Sequence, residues 1–219
     1  TRYTGDLKYL FNKGLEVLVG ISRFWAQRVS YSEKKNKYVI LGVTGPNEYE
    51  NNINNNWYTN YSTKWCLKFT LDSINICKKN NANSFKELSK KLKIKKYELD
   101  LWLKISKNIY LNKDEELGVF VQQDGFFDKD LKEVDKLDYS QRPLNQNWSW
   151  DRILRSPYIK QADVLQGIYF FEDKFDTKSI KKNYEFYEKF TVHESSLSPC
   201  IHSIIACKLG KIESAYDLF

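Results

Sequence analysis

The sequence contains no methionine, not even at its first position, which leads us to expect an excerpt of a longer protein. Histidine and cysteine are also scarce, at two and four residues. No Cys-x-x-Cys pair occurs, so zinc ribbons and fingers are excluded and no metal is expected. On one helix Cys66 and Cys77 would stand about 16 Å apart, and Cys200 and Cys207 about 10 Å, beyond the reach of a disulfide. Reduced core cysteines of a cytoplasmic protein are therefore expected. Long apolar runs and a charged, apolar leader are missing as well, so neither a membrane span nor secretion is expected.

Positive charge, by contrast, is in excess: the formal net charge is +7 and the pI about 9.0. Its main concentration, 89-SKKLKIKKYELD-100, is interleaved with apolar residues at helical spacing, as on a solvated helix face. No nucleic-acid partner is expected from it.

Apolar periodicity is mostly helical. The stretch 6–29 opens on Asp6 as N-cap and repeats Leu7, Leu10, Phe11, Leu15, Leu18, Ile21 and Trp25. Helices are also expected over 59–79, from the Ser84-x-x-Glu87 capping box, and over 96–109, 163–175, 177–190, 199–209 and 211–219, with Gly210 just past a helix end. Short extended pieces are expected at 38–42 and at 118–127, the second ending in a turn at Asp124-Gly125. The stretch 137–152 reads as an ordered loop with a helical turn. Helix following helix makes the α-hairpin the unit, so a solenoid or a closed α/α barrel is expected. A fixed period is missing, which favours the barrel.

Three motifs can carry chemistry. In 43-VTGPNEYENNINNNWYTN-60, Glu48 follows a Gly-Pro turn. A carboxyl that donates a proton at neutral pH needs its pKa raised, and an enclosure formed by Tyr49, Trp57 and Tyr58 would do this. The asparagines would order the loop and bond sugar hydroxyls. In 157-PYIKQADVL-165, Lys160 and Gln161 offer donors suited to a polyhydroxylated ligand, with Asp163 an acid at a helix start. In 192-VHESSLSPC-200, His193, Ser195 and Ser196 stand before a helix whose amides would favour an anion, while Pro199 suits the first helical turn. No nucleophile elbow surrounds the serines.

Taken with ISRFWAQR and HESSLSPCIHSIIA, these blocks resemble, in order and from Thr1 to Phe219, the inverting disaccharide phosphorylases of glycoside hydrolase family 65. The resemblance implies a mainly α chain with short β-hairpin elements, residues 1–219 being a central to late portion of an (α/α)6 barrel catalytic domain. Flanking domains, and an upstream Trp-Asp pair that helps bind glucose in the family, would lie outside it. It implies Glu48 as the proton donor and Lys160 and Gln161 as contacts to the glucosyl ring. His193, Ser195 and Ser196 would form the phosphate cradle. Phosphate is the implied co-substrate, with no cofactor, and a homodimer is implied for the full-length protein. The wording of WAQR and ENNINNNWYTN leans toward maltose rather than trehalose, kojibiose or nigerose. The rival on the same fold is a hydrolase in which Glu194 serves as base.

Overall fold

The computed structural model describes residues 4–219. These divide into two compact units, one built on the chain up to Val39 and on Asn60–Tyr110, the other on Ile40–Thr59 and Leu111–Phe219. Both are predominantly helical, and the only sheets among the described residues are two-stranded hairpins. This is the composition expected of a mainly α chain with short β elements.

In the first unit, the Asp6 carboxylate caps α1 (Leu7–Tyr9), accepting from the Tyr9 N–H at 2.9 Å. The helix then widens into one π turn, Leu10–Gly14, before α2 (Leu15–Arg28). A π turn changes the phase of a helix, and the buried stripe shifts with it. Leu10, Leu15 and Val19 are buried, whereas Leu7 and Ile21 of the expected stripe are exposed.

Helix α3 (Trp57–Asn80) contributes Leu67, Ile74 and Cys77 to the core of this unit, and α5 (Lys96–Asn108) contributes Trp102 and Ile105. Buried Ser22 is paired, its hydroxyl donating to Thr70 at 2.8 Å, which offsets the cost of burying a polar group. Arg23 of the ISRFWAQR block is structural, donating to Glu98 at 2.7 Å and to the Leu92 carbonyl at 3.0 Å. Strands β1 (Ser30–Ser32) and β2 (Lys37–Val39) pair antiparallel, so only the start of the expected 38–42 run is strand. Helix α4 (Ala82–Lys91) starts ahead of the expected capping box. Its N-cap is Asn81, whose side chain accepts from the Ser84 N–H, so Ser84 lies inside the first turn.

In the second unit, β3 (Lys113–Asp114) pairs with β4 (Val119–Phe120). The turn at Asp124-Gly125 is present, with Gly125 at φ +79°. The stretch expected as an ordered loop carries 3-10 turns and two short helices, α6 (Leu144–Asn147) and α7 (Trp150–Arg155). Helices α8 (Val164–Phe170), α9 (Thr177–Tyr187), α10 (Leu197–Lys208) and α11 (Ile212–Asp217) follow and pack as neighbours. Helix α8 stops short of residue 175, since Phe171 leaves helical geometry and a 3-10 turn, Glu172–Lys174, replaces the last turn. Trp57 stacks on Phe120 with ring centroids 4.6 Å apart, and Gly167 admits it, because a Cβ there would lie 2.7 Å from the indole. No helix among the described residues is long and apolar enough to cross a membrane.

Candidate active site

The stretch 43–56 lies wholly in the second unit and is closed at its base by reciprocal bonds between Val43 and Ile53, at 2.9 and 2.8 Å. Its asparagines serve the backbone. Asn52 and Asn55 adopt φ of +53° and +55°, a region Asn tolerates better than most residues. Asn54 and Asn55 accept from the N–H groups of Gly42 and Ile40, at 3.1 and 3.2 Å. Asn56 caps α3 through the Thr59 N–H at 2.9 Å. The expectation that they order the loop is met; these bonds leave those side chains engaged with the protein rather than aimed at a sugar.

Within the loop, Asn47, Tyr49 and Glu50 are buried, while the Glu48 side chain is 58% exposed. Each buried neighbour is tied to a different part of the unit. The Asn47 N–H donates to Asp163 at 3.1 Å, and its side-chain oxygen accepts from the Lys160 N–H at 2.9 Å. Tyr49 packs with Leu144, Ile153, Tyr158 and Val192 and donates its hydroxyl to Glu194. Glu50 is ion-paired with Lys129, whose ammonium also reaches the Ser156 carbonyl at 3.0 Å. Asp163, expected as an acid at the start of a helix, makes no capping bond to α8; its carboxylate turns into the loop and takes two bonds from the Asn56 amide, at 2.9 and 3.1 Å. Complete burial pushes its pKa up to about 7, against the pull of those donors.

Residues 112 positions apart meet at the exposed acid. The Lys160 ammonium donates to the Glu48 carboxylate, and the neighbouring Gln161 amide favours the same charged form to a smaller degree. The Lys160 hydrogen bond holds Glu48 below the usual carboxylate range, with slight burial opposing. The expected enclosure is corrected as to its residues: Tyr49 and Trp57 belong to the core, and the Glu48 side chain lies beside the Lys160 cation. Gln161 is buried and its Oε1 has no protein partner. It lines a pocket of about 480 Å³ together with Gly45, Pro46, Tyr58, Thr59 and Leu197.

The 192–200 block docks beside Lys160. Val192 donates to the Ile159 carbonyl at 2.9 Å, and Glu194 to the Lys160 carbonyl at 3.2 Å. Ser195 and Ser196 lie at the entry to α10, with Ser196 exposed at the N-cap and making no side-chain cap bond. Pro199 falls in the first turn, as expected.

His193 has φ +52°, and both ring nitrogens are engaged, Nδ1 with Ser198 at 2.9 Å and Nε2 with Glu188 at 3.2 Å. In this arrangement its ring fixes the turn. Glu188 also accepts from His202. Burial pushes Glu188 up, but the bonds from His193 and His202 prevail and hold it at about 2. Glu188, His193 and His202 place ligand-capable atoms within 4.8 Å of one another, a donor set suited to a divalent ion. Their mutual hydrogen bonds already account for the cluster.

The Glu194 side chain is 6% exposed. Its carboxylate takes the Tyr49 hydroxyl, the Leu144 N–H at 2.9 Å and Arg142. Sequence reasoning did not find this hub, nor the Glu50–Lys129 pair, because the partners are distant in the chain.

Over residues 1–219 the sequence matches the glycosyl hydrolase family 65 central catalytic domain. It is 53% identical over 217 residues to a maltose phosphorylase of Bacillus subtilis (strain 168), covering 99% of this chain and 28% of that protein. To a kojibiose phosphorylase of Halothermothrix orenii it is 37% identical over 216 residues, again 99% and 28%. To an alpha,alpha-trehalose phosphorylase of Thermoanaerobacter brockii it is 38% identical over 217 residues, 99% and 28%. A solved structure described as a candidate kojibiose phosphorylase from the human microbiome superposes with a TM-score of 0.90 at 36% identity, covering 98% of this chain and 29% of that one. The chain thus spans under a third of the length of these relatives.

Proposed function

Since the chain belongs to glycosyl hydrolase family 65, we propose that its protein is an inverting phosphorylase of an α-linked glucose disaccharide, with maltose as substrate. Glu48 protonates the bridging oxygen as the bond to the anomeric carbon breaks, and phosphate attacks the opposite face. The products are β-D-glucose 1-phosphate and D-glucose. Phosphate already carries the charge that water lacks, so no second carboxylate is needed as a base.

The observation that carries this reading is the meeting of Glu48 with Lys160 and Gln161 at an open edge of the unit. The unpartnered Gln161 Oε1 suits a sugar hydroxyl, because a buried acceptor left unmade is costly. Ser195 and Ser196, ahead of the 12-residue α10, supply hydroxyls and amides for phosphate. His193 serves that cradle by holding the turn. The hydrolase alternative is weakened by Glu194, whose carboxylate is shielded and committed to Tyr49, Leu144 and Arg142. A base toward water needs an open lone pair. The reading includes no cofactor, a homodimer of the full-length protein and a cytoplasmic location.

The test is glucose release by the full-length protein from maltose, trehalose, kojibiose and nigerose, with and without phosphate. Release from maltose only when phosphate is present is the expected result. Release without phosphate would make the protein a hydrolase, and release from another sugar would move the linkage.

A further inference from the structure

A proton donor is of use only when it holds a proton, and Glu48 is paired with an ammonium group. The Lys160 side chain is 24% exposed and that of Glu48 58%, so neither charge is locked in the core. The backbone beneath them is fixed: Lys160 is held through its N–H by Asn47 and through its carbonyl by Glu194, and Asn47 is held by Asp163. What can move is the lysine side chain. It carries three N–H donors, and an incoming sugar brings several hydroxyl acceptors.

We propose that Lys160 gates the acid: its ion pair keeps Glu48 as a carboxylate, and a bound glucosyl ring draws the ammonium onto its hydroxyls and frees Glu48 to take up a proton. The inference rests on the reading of Glu48 as acid and of Lys160 as a glucosyl contact. Lys160 acts here as a positioning residue for the proton.

The other groups facing Glu48 do not duplicate the gate. Gln161 is neutral, and the Tyr49 ring lies under the ammonium, with its centroid 6.0 Å from Nζ. The Glu194 carboxylate is turned to Tyr49, Leu144 and Arg142, and Asp163 reaches the loop only through Asn47 and Asn56. The hydrogen bond from Lys160 is the largest influence on Glu48, and burial opposes it. Moving the ammonium away and covering the carboxyl with sugar therefore act in the same direction.

The protons balance over a turnover. Glu48 takes one from solvent when the disaccharide binds and passes it to the bridging oxygen as that oxygen leaves the anomeric carbon. Monohydrogen phosphate forms the new bond to that carbon and gives its own proton to solvent. A carboxyl kept ionised until a sugar arrives cannot offer its proton to anything else.

Proton uptake on binding tests the proposal directly. Maltose is titrated into the full-length protein without phosphate, at neutral pH, in calorimetry buffers of different ionisation heat. Wild type should take up a fraction of a proton per site, and Glu48→Gln should bind without uptake. Binding by wild type with no uptake overturns the gate, as does unchanged uptake by Glu48→Gln. Failure of wild type to bind any of the four disaccharides sinks the functional reading, and the gate with it.

A second readout is the pH profile of kcat/KM, which reports groups of the free enzyme. In Lys160→Met the basic limb should move to higher pH, and in Lys160→Arg it should stay. KM should rise about tenfold or more in Lys160→Met through loss of a charged hydrogen bond. A limb that does not move in Lys160→Met, despite that loss of affinity, assigns Lys160 to binding alone and overturns the gate.

Discussion

Gly45 and Gly210 have nearly the same backbone, φ +78° and +74°, in different surroundings. A Cβ on Gly210 would meet nothing within 4 Å. A Cβ on Gly45 would stand 2.7 Å from Asn56 Nδ2 and 2.9 Å from Asp163 Oδ2, in the middle of the bonds that tie the acid's loop to Asp163. Replacing either glycine by alanine costs the left-handed strain, about 1–2 kcal/mol. At Gly45 the alanine must also part an amide from a buried acid, a further loss of about 1.5–3 kcal/mol. At about 0.6 °C per kcal/mol for a protein as long as these relatives, more than three times this chain, Gly45→Ala should melt about 1–2 °C below Gly210→Ala. Thermal unfolding of the two full-length variants measures the difference, and phosphorolysis by the same preparations measures its effect. Gly45→Ala should lose turnover because Glu48 is displaced, while Gly210→Ala should keep it. Equal melting temperatures would refute the reasoning, since they would mean that the Asn56–Asp163 bonds yield without cost.

Glu48→Gln should abolish turnover of natural disaccharides and leave the melting temperature near that of wild type, as expected of a 58% exposed side chain whose loss removes only a proton and a surface pair. Tyr49→Phe should destabilise by about 1–3 kcal/mol, because buried Glu194 loses a donor, and should lower kcat more than it raises KM; denaturant melts and steady-state kinetics check both. The Asp163 pKa lies at about 7 when folded, above its unfolded value. Its contribution to stability is therefore full at acidic pH and is lost as pH rises toward 7, at on the order of 1.4 kcal/mol per unit. Melting curves from pH 5 to 8 should show wild type falling relative to Asp163→Asn; a constant difference would place the titration elsewhere. Arg23→Lys should cost more than exchange of one exposed cation for another, about 1 kcal/mol, since the planar fork that spans Glu98 and the Leu92 carbonyl is lost.

The helices were legible because their signals are local. Asp6 caps where it was expected to, and α5 and α9 lie within a few residues of their expected bounds. Errors arose where a neighbouring residue competed. Asn81 took the cap expected at Ser84, and one π turn rotated the buried stripe of the first segment. In the candidate site, the sequence marked Glu48, Lys160 and Gln161, and the structure brings these together. It could not show that Tyr49 faces the core while Glu48 faces out, because adjacent residues in an irregular loop follow no period. The partners of the hidden side chains lie far along the chain, Glu194 for Tyr49 and Lys129 for Glu50, and nothing in local spacing points to them.

Loops are where proteins usually accept insertions and deletions, because their side chains face water. The loop that carries Glu48 is different, since the other three of the four positions 47–50 are fastened to separate places: Asn47 to Asp163, Tyr49 to Glu194 and Glu50 to Lys129. Adding or removing one residue between Pro46 and Asn51 would exchange an anchor for Glu48, burying its carboxyl or lifting a core tyrosine into water. Length at this point is therefore as constrained as identity, and a loop library built on this scaffold should keep the spacing from Gly45 to Glu50 fixed and vary what lies outside it.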